Sequence, residues 1–160
     1  MKIRCATIED LDRITEVEAL CFPPAEAASR ESFEGRLTVF PNHFWVSEVD
    51  GQIVAFVNGF VTDEENLTDE MFADANMHNE KGAWQMIFGV DTIPEYQRRG
   101  IAEQVLNKVI EVAKEEGRKG LVLTCKEHML HYYAKFGFIN EGVSGSEHGG
   151  ALWYQMRITF

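Results

Sequence analysis

The turn Gln97–Ala102 carries the residue types of an anion site. It reads Gln-Arg-Arg-Gly-Ile-Ala and joins a β-rich run, Ala83–Thr92, to a segment of helical periodicity, Gly100–Glu116. A glycine at such a junction exposes the first N–H groups of the helix, which attract phosphate together with the helix dipole. Arg98 and Arg99 add planar guanidinium groups suited to phosphate oxygens. Alternatively, the glycine only breaks a turn and the arginines only face solvent, but the flanking strand and helix favour the anion site.

With this turn, the chain resembles the GCN5-related N-acetyltransferase (GNAT) family, whose cofactor motif is Gln/Arg-x-x-Gly-x-Gly/Ala. The resemblance covers essentially the whole chain and implies an enzyme that uses acetyl-CoA as cosubstrate, without a metal. It also implies where the cosubstrate lies. The preceding strand would pair with the pantetheine arm through Val90, Asp91 and Thr92, and the turn would surround the pyrophosphate through Gln97, Arg98, Arg99, Gly100, Ile101, Ala102 and Glu103.

Three further segments narrow the resemblance to the arylalkylamine (serotonin-type) N-acetyltransferase branch. They are the acidic segment Asp63–Glu70, the aromatic segment His131–Phe138 and the short segment Cys21–Pro24. The branch implies a primary amine acceptor, a small arylalkylamine. Two alternatives are compatible with the same cofactor turn. They are a protein or peptide N-acetyltransferase with the same cofactor chemistry, and a non-catalytic acyl-CoA sensor.

Acetyl transfer from a thioester to an amine requires a neutral amine, a stabilised oxyanion and a proton for the leaving thiolate. Tyr133 is the candidate for the last role, because the resemblance places a tyrosine hydroxyl of this segment beside the CoA sulfur. Its position alone is more typical of a packing residue such as Tyr132, and only the resemblance favours the proton-donor role. A backbone N–H near Val90 is the candidate for stabilising the oxyanion.

The general base is the role that the resemblance leaves open. Animal arylalkylamine enzymes carry two histidines on the strand before the turn, and the matching positions here are Met86 and Phe88, which cannot accept a proton. A chain of water molecules is one alternative. The other is a side chain from a loop near the acceptor, and each such candidate is, by itself, also typical of an exposed polar residue: His78, Glu80, Glu147 and His148. His131 is expected to face solvent or a helix end.

The acceptor end is expected to be aromatic and acidic. Most aromatic side chains are predicted to lie in the core, but those near Phe22–Pro24 and Phe72 could line a pocket. Residues 62–80 contain seven acidic residues and neither lysine nor arginine, which would attract an ammonium group unless the segment is simply a solvated loop. The segment Ser144–Gly150 either faces the substrate or only connects the last two strands.

The order of elements predicts an α+β fold: a GNAT-type mixed, mostly antiparallel sheet with helices on both faces. Asp50-Gly51 is a strong hairpin signal between the β-rich runs His43–Val49 and Gln52–Val61. The other predicted strands are Lys2–Ala6, Ala83–Thr92, Gly120–Cys125, Phe138–Val143 and Ala151–Phe160. The predicted helices follow Thr7-Ile8-Glu9-Asp10, begin near Ser29, or span Gly100–Glu116 and Glu127–Phe136, with a helical turn after Thr68.

Composition sets the remaining expectations. The 160 residues suit one domain, residues 1–160, and the net charge of −11 argues against a nucleic-acid partner. No apolar run approaches the length of a membrane span. Cys5, Cys21 and Cys125 have neither metal-site spacing nor disulfide density, which indicates reduced thiols and a cytoplasmic location. A homodimer is compatible with the family resemblance.

Overall fold

The computed structural model describes residues 1–160 as five α-helices and nine β-strands. None of the helices combines the length and the apolar composition needed to cross a membrane. The helices are α1 (Leu11–Cys21), α2 (Arg30–Val39), α3 (Asp69–Ala73), α4 (Ile101–Glu115) and α5 (Leu130–Ala134). The strands are β1 (Lys2–Cys5), β2 (Phe44–Val49), β3 (Gln52–Asn58), β4 (Val61–Thr62), β5 (Trp84–Ile87), β6 (Gly89–Thr92), β7 (Gly120–Cys125), β8 (Ile139–Val143) and β9 (Tyr154–Thr159).

The strands form two sheets, which confirms the predicted fold class. One sheet has the order β1-β2-β3-β6, and the other has the order β4-β5-β7-β9-β8. Every pair is antiparallel except β5 with β7. One core lies between the first sheet and helices α1 and α2, and another lies under α4 and α5. The sheets therefore carry helices on both faces, as the sequence predicts.

Local signals account for the elements that were predicted well. The β2–β3 hairpin turns at Asp50 and Gly51, whose φ angles of 53° and 80° are those of the turn that Asp-Gly favours. Helix α4 buries Val105, Leu106 and Val109 on one face, at the spacing of an amphipathic helix. Nine of the 18 aromatic residues are buried, and all the others except Phe160 are partly buried.

The run Ala83–Thr92 was predicted as one strand, but it forms two strands in different sheets. The neighbouring chain explains the break, because the predicted strand Gln52–Val61 also divides, at Gly59 and Phe60. A Cβ atom on Gly59 would lie 1.9 Å from the Met86 carbonyl oxygen, so only glycine permits this approach. Hydrogen bonds from Met86 N to Phe60 O and from Phe88 N to Asn58 O hold the two breaks together.

The predicted helix Glu127–Phe136 is also shorter than expected. Residues Glu127–Met129 form a 3-10 turn, and the α-helical part is α5 alone. The chain then ends the helix with Gly137, whose φ angle of 103° lies in the left-handed region. The shortening keeps Tyr133 on a single turn directly beside the end of β7.

Glu80 attaches the acidic segment between β4 and β5 to the turn Pro41–His43, which precedes β2. Its carboxylate accepts hydrogen bonds from Asn42 and contacts the ring nitrogens of His43 and His78 at 2.9 and 3.0 Å. Partial burial favours a higher pKa for Glu80, but these hydrogen bonds outweigh it and lower the pKa to about 2. Burial lowers the pKa of His78.

Both shifts predict that acid weakens this attachment. A group with a lowered pKa stabilises the fold above its unfolded pKa, and that contribution disappears as the pH falls through the folded pKa. The stability is therefore expected to fall below pH 6.5 through His78, and between pH 4.5 and about 2 through Glu80. In urea unfolding from pH 7 to pH 3, Glu80→Gln should lose less stability than the wild type. The exposed Glu64→Gln is the matched control, and parallel wild-type and Glu80→Gln curves would contradict the assignment.

Candidate active site

A cleft of about 1130 Å³ opens where β6 and β7 diverge. Strand β5 pairs with β7 only as far as Ile87 and Leu123, whereas β6 pairs with β3 alone. Beyond that point, Val90 lies on one wall of the cleft and Thr124 on the other. The break at Phe88 thus creates a wedge between two strands that would otherwise be neighbours.

The backbone of β6 offers hydrogen-bonding groups to this wedge. Ile93 N–H donates to the Val54 carbonyl at 2.9 Å, and Asp91 lies opposite Phe56 in the ladder with β3. Alternate residues of an antiparallel strand direct their backbone groups to opposite sides. Val90 and Thr92 therefore direct theirs toward the cleft, where the Thr92 carbonyl accepts a hydrogen bond from Gln97 Nε2 at 3.1 Å.

The predicted anion turn lies at one end of the same cleft. Gly100 is the N-cap of α4 with a φ angle of 75°, and no side chain caps the helix, so its first N–H groups stay free. A Cβ atom on Gly100 would have only Glu103 Oε2 within 4 Å, at 3.9 Å, so the approach to the helix end is open. Lining residues from this turn are Gln97, Arg98, Gly100, Ile101, Ala102 and Glu103. These donors and the open approach fit a pyrophosphate group.

Two residues of the predicted cosubstrate site take other positions. Arg99 does not line the cleft, and its guanidinium group lies 4.9 Å from the centre of the Tyr96 ring. Asp91 is 1% exposed, and its backbone groups belong to the ladder with Phe56. Asp91 therefore turns its side chain toward α1 and α2, away from the wedge.

Tyr133 lies in the wall of the cleft, on α5. The residue is buried against Tyr132 and Phe138, and its hydroxyl makes no hydrogen bond to the rest of the chain. Burial raises the pKa of Tyr133 far above its usual range. The phenol is therefore protonated at every physiological pH and is available as a proton donor.

One end of the cleft, which we name the acceptor end, has aromatic walls. Phe22, Phe72 and Trp153 line it, and the His148 ring stacks on Phe72 with 5.6 Å between ring centres. The segment Ser144–Gly150 reaches across this end. Its Ser146 hydroxyl and Glu147 N–H donate hydrogen bonds to Asp69 on α3, and His148 Nε2 lies 2.7 Å from the Glu26 carbonyl.

Of the four candidate bases, the structure places one in the lining of the cleft and three outside it. His78 and Glu80 belong to the attachment of the acidic segment and do not line the cleft. Glu147 is exposed and lies outside the lining. His148 is the one candidate that lines the cleft, with Nε2 facing the Glu26 carbonyl. Met86 is buried, and Phe88 lines the cleft, so the two positions of the histidine pair hold only apolar side chains.

His43, His78 and Glu80 are the residues close enough together to bind a metal ion, since their ligand atoms lie within 4.8 Å of one another. They contact each other directly, at 2.9 and 3.0 Å, and Arg118 approaches the same carboxylate at 3.2 Å. A guanidinium group at this distance repels a cation. The cluster is better described as an ion-paired attachment than as a metal centre.

Two buried charged side chains of the cleft wall, Glu18 and Arg36, were missed by sequence reasoning, which gave Asp91 only a backbone contact with the pantetheine arm. Glu18 and Arg36 line the cleft at 7% and 3% exposure, and Asp91 lies behind them. Arg36 donates hydrogen bonds to the Asn58 side chain and the Phe72 carbonyl, each at 3.0 Å. Burial lowers the pKa of Arg36 to about 10, so it remains charged at neutral pH. The one signal of this cluster in the sequence is Asp91, an acidic residue inside the largely apolar run of β5 and β6.

Comparison with known proteins agrees with this geometry. The family model of the acetyltransferase (GNAT) family matches residues 11–138. YhcX of Bacillus subtilis, described as a probable hydrolase, is 22% identical over 84% of this chain, which spans only 28% of that protein. A second curated relative is matched over 27% of its length, so the chain spans little more than a quarter of either.

Solved structures resemble the fold over nearly the whole chain. The loading GNATL domain of CurA from Lyngbya majuscula has a TM-score of 0.86 at 16% identity, with 99% of this chain and 96% of that chain covered. The PaiA N-acetyltransferase of Thermoplasma acidophilum, solved with coenzyme A, has a TM-score of 0.74 at 16% identity, with 99% and 98% covered. The chain therefore belongs to the GNAT family.

Proposed function

We propose that the chain is an acetyl-CoA-dependent N-acetyltransferase and that it acts on a small primary amine of the arylalkylamine type. The observation that carries the proposal is the acceptor end of the cleft, where Phe72, His148 and Trp153 form an aromatic wall. Hydrogen bonds from Ser146 and Glu147 to Asp69 fasten the covering loop over this end. A flat hydrophobic amine fits such an enclosed aromatic end better than an extended peptide does.

The charge of the acceptor end also suits a cation. Glu18, Glu26 and Asp69 line the cleft there, together with Arg36 and with Lys126, which pairs with Glu26 at 2.8 Å. Three carboxyl groups beside two cations leave an excess of negative charge, which attracts an ammonium group.

The cleft also offers the groups that acetyl transfer requires. The N–H groups at the start of α4 would bind the pyrophosphate of acetyl-CoA, and the cleft-facing groups of Val90 and Thr92 would hold the arm that leads to the thioester. A backbone N–H near Val90 would stabilise the oxyanion, and Tyr133 would donate its proton to the leaving sulfur. Met86 and Phe88 contribute no base.

An amine panel tests the proposed acceptor. Thiol release from acetyl-CoA is measured with tryptamine, phenylethylamine, spermidine and short peptides with free N-termini. We expect the highest kcat/KM with the two arylalkylamines, and we expect Phe72→Ala to raise KM for tryptamine more than for spermidine, because only tryptamine stacks on the ring. Leu152→Ala, at an exposed position outside the cleft, is the control.

Other outcomes of the panel would replace the proposal. Turnover with peptides alone would assign a protein acceptor, which the same cofactor chemistry supports. Coenzyme A binding without turnover on any amine would assign a sensor. Spermidine turnover that exceeds tryptamine turnover would keep a small amine but contradict the aromatic acceptor.

A further inference from the structure

Two carboxyl groups, from Glu18 and Asp91, meet beside the acceptor end of the cleft. Glu18 lies in the last turns of α1 and lines the cleft, while Asp91 lies behind it on β6. The next turn of α1 brings the Cys21 thiol to within 3.2 Å of the Thr92 carbonyl, which fixes the helix against β6. Glu18 and Asp91 are 7% and 1% exposed, and both lie where α1 packs against β6.

Asp91 has no hydrogen-bond donor from the rest of the chain. Both of its carboxyl oxygens are fully buried, and neither receives an N–H or O–H group. Glu18 differs, because its Oε2 accepts the Ala28 N–H at 2.8 Å. Two neighbouring carboxyl groups in a buried site disfavour each other's ionised form, so one of them holds a proton, which it can donate to the other.

The surroundings decide which carboxyl group holds that proton. Burial, followed by the charge of Glu18, raises the pKa of Asp91 well above its usual range. Glu18 accepts the N–H group of Ala28 and has access to the cleft, whereas the Asp91 carboxyl group has neither. Asp91 is therefore the protonated member of the pair and Glu18 the carboxylate.

The other ionisable groups around the pair do not compete as proton acceptors. Arg36, from α2, is a buried cation whose Nε has no partner and which makes no ion pair within 4 Å with either carboxyl group. Burial raises the pKa of the Cys21 thiol to about 12. Tyr133, from α5, is kept protonated by burial. Glu18 is the one anionic acceptor of the cluster.

From this cluster and its place in the cleft, we infer that Glu18 is the general base for the amine and that Asp91 is the positioning residue that holds it. The inference rests on the proposed function, in which the acceptor is an amine. It fills the role left vacant by Met86 and Phe88 with a side chain from a different element of the fold.

The proton balance of the reaction is complete with these groups. The ammonium nitrogen gives one proton to the Glu18 carboxylate, and the neutral amine attacks the thioester carbonyl. A C–N bond forms, the C–S bond breaks, and the sulfur takes the proton of Tyr133. The second proton lost by the nitrogen restores Tyr133, and Glu18 releases its proton to water. The products are the amide, the free thiol and one proton.

Glu18→Gln separates a base from a structural anchor. Glutamine keeps an oxygen for the Ala28 N–H but cannot accept a proton from the substrate. We expect kcat/KM for tryptamine to fall about 100-fold at pH 7, an effect typical of losing a general base. The remaining activity should rise about tenfold per pH unit below the amine pKa, because only the neutral amine then reacts. Glu16→Gln, exposed on the same helix, is the matched control and should keep the wild-type rate and pH profile.

Two substitutions test the role of Asp91. Asp91→Asn keeps an N–H donor for Glu18 and should leave the acid limb of the kcat/KM profile in place. Asp91→Leu removes the donor and should move that limb to higher pH, because the Glu18 carboxylate loses a stabilising hydrogen bond. If Asp91 served only for packing, the two substitutions would change the activity according to side-chain volume. Neither would then shift the acid limb of the kcat/KM profile.

A second readout is independent of turnover. Carbon NMR titration of the side-chain carboxyl groups in the wild type should find Asp91 protonated at pH 7, and Glu18→Gln should lower the pKa of Asp91. An Asp91 carboxyl that is ionised at pH 7 would overturn the proton-sharing pair.

The outcomes distinguish this inference from the proposed function. Wild-type activity on amines with an unchanged Glu18→Gln rate or pH slope overturns the base and leaves the proposed function standing. If His148→Gln lowered kcat/KM and steepened its pH dependence while Glu18→Gln left both unchanged, His148 would be the general base instead. Absence of amine acetylation by the wild type overturns the proposed function and the base together, while the NMR titration still decides whether the pair shares a proton.

Discussion

Replacing Tyr133 by phenylalanine should lower kcat for acetyl transfer at least tenfold and leave the affinity for coenzyme A nearly unchanged. The substitution removes one hydroxyl from the wall of the cleft, and the ring contacts with Tyr132 and Phe138 remain. Burial holds the phenol in its protonated form, which is the form that a departing thiolate requires. Steady-state kinetics with a saturating amine give kcat, and isothermal titration calorimetry gives the dissociation constant of coenzyme A.

The tyrosine on β9 provides the matched control. Tyr154→Phe also deletes one phenolic hydroxyl, at a half-buried position outside the cleft, and should change kcat less than twofold. Unchanged turnover in Tyr133→Phe would remove the proton-donor role. A fall in kcat that is accompanied by equal losses in coenzyme A affinity and thermal stability would instead describe Tyr133 as a packing residue.

Arg36→Leu is expected to have the largest effect on stability, about 3 kcal/mol in the free energy of unfolding. The guanidinium group is 3% exposed and connects three walls of the acceptor end: it bonds Asn58 and the Phe72 carbonyl and lies 4.8 Å from the centre of the Phe88 ring. Leucine leaves those two acceptors without a donor and leaves the neighbouring carboxyl pair without its nearby positive charge. Urea unfolding at pH 7 measures the difference.

The same helix carries a suitable control for this substitution. Arg30 is exposed at the start of α2 and pairs with Asp12 on the surface, so Arg30→Leu should change the free energy of unfolding by no more than about 0.5 kcal/mol. Equal effects at the two positions would contradict the role of Arg36. We also expect Arg36→Leu to raise KM for the amine, because Phe72 and Phe88 lose the group that holds them.

Much of the fold follows from signals that lie within a few residues of each other. Asp50-Gly51 specifies its hairpin by the φ angles that it tolerates, and the apolar spacing of Gly100–Glu116 specifies helix α4. The anion turn was predicted for the same reason, since its glycine, its arginines and the flanking elements are adjacent in sequence. Six of its seven predicted residues line the cleft.

The rest depends on contacts between distant parts of the chain. The break at Phe88 results from the approach of Gly59 to Met86, which no local pattern encodes. Glu18 sits on a helix whose neighbouring residues Glu16 and Leu20 are exposed, so it resembles a surface acid until β6 is placed against it. His78 and Glu80 were considered as bases because of their residue types, and tertiary packing uses them to attach a loop instead.

The wedge at β6 has a consequence for the ligand-free protein. A strand edge with free N–H and C=O groups normally invites another strand to pair with it, and folded proteins usually cover or charge such edges. Here the edge at Val90 borders the cleft, and the neighbouring Thr92 carbonyl already accepts hydrogen bonds from Gln97 and Cys21. We expect the slender amide-bearing arm of the cosubstrate, rather than another strand, to pair with the edge at Val90. Cosubstrate binding would then supply the hydrogen bonds that the β6 edge lacks. The protein would be most rigid with the cosubstrate bound, when it is ready to react.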